Sequence, residues 1–90
     1  MKEKLITPKT ARKIRSRIVT LNPGEDVGYH VTKDREEVLI VLEGKAKVVV
    51  EGNTKKLNEK QAIYIGNNKR HNIFNNSAKP LKYIYVVALE

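Results

Sequence analysis

Short runs rich in β-branched residues recur along this chain, separated by turn signals, and that pattern predicts strands packed into a sandwich or barrel. Residues 13–21 form the first such run, stopped by Asn22-Pro23-Gly24, since Pro fixes φ and Gly accepts conformations other residues avoid. Residues 27–32 are the next extended piece, 33–35 read as a loop, and 37–42 (EVLIVL) are the most apolar strand. Over residues 45–51, Ala46, Val48 and Val50 alternate with Lys45, Lys47 and Val49, which puts both lysines on one face and the small and branched residues on the other. Gly52-Asn53 reads as a hairpin turn, and residues 54–57, 62–65, 71–74 and 81–89 supply the remaining strands. Gly66-Asn67-Asn68 and Asn75-Asn76-Ser77 are turn clusters between them. No ten-residue window carries a helical period; residues 8–17 come nearest.

The same alternation sorts single residues. Tyr83 and Tyr85 share a face with Leu81 and Val87, opposite Lys82, which predicts core packing. Ile63, Ile65 and Ile73 read as interior filling, Gly24 and Gly44 as turn residues, and Asn75 as closing a turn through its side-chain amide.

Ninety residues make one domain, small enough that burial against a partner subunit is expected to contribute. The absence of cysteine excludes disulfides and thiolate metal sites. With neither a long apolar span nor the apolar core of a signal peptide, the expectation is a soluble cytoplasmic protein without membrane contact. The net charge of +8 is uneven: residues 1–20 hold seven basic side chains against Glu3 alone. Nucleic acid is not the expected partner, since there is no recognisable nucleic-acid-binding signature and one Phe with no Trp gives little to stack on. This basic charge reads instead as a solvated surface, with residues 1–12 as an N-terminal arm and 13–90 as the folded barrel.

Two spaced residue sets add chemistry to this pattern. Gly24 is followed after five residues by His30, then Thr32, Glu37 and, six residues on, Gly44. The second set places Lys60, Gly66 and Asn68 ahead of His71 and Asn75. The chain thereby resembles the cupin superfamily, whose first motif has a second His where Thr32 stands here. In the second motif the family has Gly, Pro and Gly where this chain has Lys60, Gly66 and Asn68. The resemblance runs over residues 21–87 and implies an all-β jelly-roll barrel. It further implies that His30, Glu37 and His71 converge inside that barrel as a reduced two-His, one-Glu site for a divalent metal (Zn, Mn, Fe or Ni). A neutral hydroxyl at Thr32 is a poor ligand, so such a site is expected to be weak or completed by water. Residues 61–71 also look like the cupin half of mannose-6-phosphate isomerase and mannose-1-phosphate guanylyltransferase-type proteins, which makes a sugar phosphate a candidate ligand.

The functional expectation is therefore a small cupin holding a small, anionic molecule in the barrel beside the reduced metal site. Thr32, Arg35 and Tyr64 are expected to touch that ligand, and the basic residues Lys33, Arg35, Lys69 and Arg70 to flank the mouth. The alternative is a metal-free binding or sensing module in which His30 and His71 hydrogen-bond the ligand. A structural role without small-molecule chemistry stands behind both, and a cavity filled by side chains would favour it. A homodimer is expected because apolar strands such as 37–42 leave edges and an outer face to cover.

Overall fold

The computed structural model describes residues 2–6 and 11–89. Among these described residues nine strands follow in order: β1 (Lys2–Ile6), β2 (Ile14–Leu21), β3 (His30–Val31), β4 (Arg35–Glu43), β5 (Ala46–Val50), β6 (Asn53–Leu57), β7 (Ala62–Ile65), β8 (Arg70–Phe74) and β9 (Leu81–Leu89). They form a five-stranded sheet ordered β1-β2-β9-β4-β7 and a four-stranded sheet ordered β3-β8-β5-β6, with every described pairing antiparallel. Residues 2–6 of the expected arm are thus an edge strand, Lys2 lying opposite Val19 and Lys4 opposite Arg17.

The jelly-roll arrangement agrees with the all-β expectation, but the expected closed barrel is not what forms. Among the described residues no ladder joins the two sheets, which form an open two-sheet sandwich. The reason is local. The edge strand β3 is only two residues long, because the chain before it passes through the Pro23-Gly24 turn and then Gly28, both glycines having positive φ. Between them the isolated bridge from Asp26 to Phe74, the bond from Val27 N–H to the Ile73 carbonyl and the Asn72 amide donating to the Asp26 carboxylate hold this segment to β8.

Alternate residues of both sheets meet in the middle. Val19, Leu21, Leu39, Val41, Leu81 and Tyr83 come from the larger sheet, and Ala46, Val48, Leu57 and Ile73 from the smaller. Ile65 is buried with them and Ile63 is packed against the cluster. This core is sealed at one end by a close approach: Gly44 has φ +84, and a Cβ there would stand 2.5 Å from the Pro80 carbonyl oxygen. Only glycine satisfies both the conformation and the contact.

Asn75 ties the turns at the same end. Its buried amide nitrogen donates to the Leu21 carbonyl at 2.9 Å and to the Lys79 carbonyl at 2.8 Å, while its oxygen accepts from the Ser77 backbone N–H and hydroxyl. Its backbone exchanges bonds with the 24–25 turn through Gly24 N–H and the Glu25 carbonyl. One side chain thus ties the end of β2 to the 77–79 turn. Among the described residues no helix is long and apolar enough to cross a membrane.

Candidate functional site

The other end of the sandwich stays open. A cavity of about 570 Å³ lies there, floored by Val19, Leu39, Tyr83, Tyr85 and Val87 of the larger sheet and walled by Val27, Tyr29, His30, Val31 and Thr32. Strand register explains who faces it. On β4, Arg35, Glu37 and Leu39 share one face; on β9, Tyr83, Tyr85 and Val87 do, with Glu37 opposite Val87 and Leu39 opposite Tyr85. Ile73 closes the floor from β8.

His30 and His71 are cross-strand partners of β3 and β8, and their rings meet edge to face with centroids 4.2 Å apart. His71 is fully buried and Glu37 nearly so, with the imidazole Nε2 3.4 Å from the carboxylate Oε2. That distance is too long for a good hydrogen bond, and Nε2 has no better partner among the described residues. His71 Nδ1 lies 2.9 Å from the Lys69 carbonyl, an oxygen that can only accept, so Nδ1 carries a proton. A neutral ring would then turn the Nε2 lone pair toward a carboxylate, whereas a protonated ring turns an N–H toward it. Burial opposes the charge, but the Glu37 contact and the Lys69 carbonyl outweigh it, and the His71 pKa is raised above its ordinary 6.5. Burial, and then the Glu37 charge, push the Tyr83 hydroxyl up as well, so it serves as a neutral donor and acceptor.

The expected metal centre is not found. Among the described residues no group of three or more His, Cys, Asp or Glu side chains is placed to hold a metal ion. The Nδ1 atoms of both imidazoles are committed to backbone carbonyls, His30 to Gly28 at 3.0 Å and His71 to Lys69 at 2.9 Å, and Thr32 brings a hydroxyl where an imidazole would complete the set. The open sheets overturn the barrel expectation, and the metal-binding expectation has no qualifying cluster among the described residues to support it.

Of the expected ligand contacts, Thr32 and Arg35 line the cavity, as does Lys33. Tyr64 does not: it is 61 % exposed on the outer side of the larger sheet, and its hydroxyl donates to Glu36. Arg70 does not line the cavity itself; its guanidinium lies 4.3 Å over the ring of Tyr29, which does. Sequence reasoning missed Arg15 and Arg17 of β2 and Lys2 and Lys4 of β1, which border the open end. The signal was present, because Arg15 and Arg17 have the same strand parity as the buried Val19 and Leu21.

Residues 17–87 match the Cupin domain family, and the chain belongs to it. It is 35 % identical over 68 residues to mannose-1-phosphate guanylyltransferase of Escherichia coli, a match that takes in 76 % of this chain but 14 % of that enzyme. Among solved structures, the Cnp3 cupin domain of Schizosaccharomyces pombe superposes with a TM-score of 0.91 at 16 % identity, over 99 % of this chain and 64 % of that one. The cupin domain of an XRE-family transcriptional regulator from Enterobacter cloacae gives 0.90 at 17 % identity, over 100 % and 96 %. At these identities the structural likeness shows the fold alone.

Proposed function

We propose that this protein is a metal-free cupin that binds a small polyhydroxylated molecule in the cleft between its sheets, as a binding or sensing module. The observation that carries the reading is the open cavity itself, lined jointly by hydroxyl, imidazole, carboxylate and aromatic groups. A purely structural role would leave that space filled. Thr32, Glu37 and Tyr85 offer donors and acceptors for hydroxyl groups, and the Tyr83 and Tyr85 rings offer apolar faces for a sugar ring. The likeness to a mannose-1-phosphate guanylyltransferase supports a sugar derivative as the ligand class.

The test is ¹⁵N-detected titration of the protein with a panel of neutral aldoses and polyols. Saturable shifts are expected at His30, Thr32 and Glu37, and Thr32→Trp, which fills the cleft, abolishes them. A panel that leaves these three residues unmoved removes the reading.

The same proposal takes the protein as a homodimer through the outer face of the larger sheet. Val38 pairs with Tyr64 and Val86 there, and Ile40 with Ile84. Val38, Leu42 and Tyr64 are all exposed on it. An apolar sheet face of this kind favours self-association. Sedimentation is expected to give a dimer that Val38→Lys converts to monomer; a wild-type monomer at every accessible concentration sinks this part.

A further inference from the structure

A second recess, of about 430 Å³, adjoins the cleft and shares Arg35, Tyr85 and Val87 with it. Its remaining lining is Lys4, Ile6, Arg15 and Arg17, so four cations converge there with no carboxylate among the lining residues. Lys4 and Arg35 are exposed. Arg15 and Arg17 are only partly exposed, and both stand on the inner side of β2, where Val19 and Leu21 continue the row into the core.

Register makes the cluster costly to the protein alone. Lys4 is directly opposite Arg17, and like charges facing each other across a ladder are destabilising. No ion pair joins any of the four cations to a carboxylate among the described residues. Arg17 has one neutral partner, the Tyr85 hydroxyl. Arg15 turns one guanidinium nitrogen to the Ala11 and Ile14 carbonyls, which orients its planar donor fork. A packed sheet gains nothing from holding these charges together without a counter-charge. A multiply charged anion would supply one, and guanidinium forks match phosphate oxygens in geometry.

We infer that this recess is a phosphoryl-binding subsite, and that the ligand of the cleft is phosphorylated, its anionic end among Arg15, Arg17, Arg35 and Lys4 and its neutral body toward Thr32 and Glu37. The position of the ligand body rests on the reading proposed above; the anion subsite stands on its own geometry. The polarity follows from charge: Glu37 lies at the cleft side and repels phosphate, while the recess holds no acid among its lining residues.

The probe is pyrophosphate, titrated calorimetrically and by ¹⁵N shifts at constant ionic strength. Saturable binding is expected, with shifts centred on Arg15, Arg17 and Arg35. The double variant Arg15→Gln/Arg17→Gln weakens it by about tenfold or more. Arg17→Lys, which keeps the charge and loses the fork, gives an intermediate loss. The control Lys55→Gln/Lys56→Gln removes the same charge from exposed residues of β6 and changes affinity by about twofold at most. Equal weakening by the two double variants means that net charge alone attracts the anion, and overturns the inference. Neutral polyols binding the cleft while pyrophosphate leaves the recess unmoved also overturns it and leaves the proposed function standing. Pyrophosphate in the recess with no polyol in the cleft upholds the subsite and overturns the proposed function.

Discussion

The two ends of this sandwich are made from the same strands and differ in kind. At the sealed end β2, β4 and β9 supply Leu21, Val41 and Leu81, all buried, under Gly44 and the Asn75 turn. At the open end the inward rows of the same strands supply Arg15 and Arg17, Arg35 and Glu37, and Tyr85 and Val87. Strand parity is the same throughout; only the chemistry of the inward residue changes along each row. Hydrophobic burial at the sealed end holds the sheets together, and so the open end keeps polar groups in place that contribute little to stability or oppose it.

The largest expected effect is therefore at the sealed end. Leu81→Ala removes a fully buried side chain beneath Gly44 and is expected to cost about 2–5 kcal/mol in urea denaturation. If the loss is no larger than that of Tyr85→Phe at the open end, the contrast between the ends is broken.

An intermediate effect is expected from the buried pair at the boundary. The His71 pKa is raised in the folded protein, so the stability this group contributes is fully present below about pH 6.5 and declines as pH rises through the raised value. Glu37→Gln removes the opposing charge and leaves the burial, so the His71 pKa is expected to fall and the decline to disappear. The difference in denaturation midpoint between wild type and Glu37→Gln, followed from pH 5.5 to about 8.5, checks the sign. A difference that grows with pH would mean that His71 is held neutral.

The smallest effect has the opposite sign. Arg17→Gln relieves the face-to-face charge with Lys4 and is expected to raise stability in anion-free buffer by about 0.2–1 kcal/mol. Pyrophosphate should then stabilise wild type more than the variant. A destabilised Arg17→Gln in the absence of anion would show that the Tyr85 contact, rather than ligand binding, accounts for this arginine.

Local pattern alone located nearly all the strands. Period-two alternation and turn dipeptides are properties of neighbouring residues, so the runs at 62–65 and 81–89 coincide with β7 and β9, and the interior placement of Tyr83, Ile65 and Ile73 followed from parity. Motif spacing likewise marked His30, Glu37 and His71, which the fold brings together pairwise. What lies between the sheets was settled only by tertiary structure. Whether edges pair into a barrel depends on ladder length at β3, which two glycine conformations cut short. Whether three ligand types make a metal site depends on how the fold spaces them, and among the described residues no group of three is placed to hold an ion. The basic charge of residues 1–20 read as solvated surface because sequence counts charges without direction; pairing β1 with β2 and β2 with β9 turned part of it inward, since register decides which face a side chain occupies.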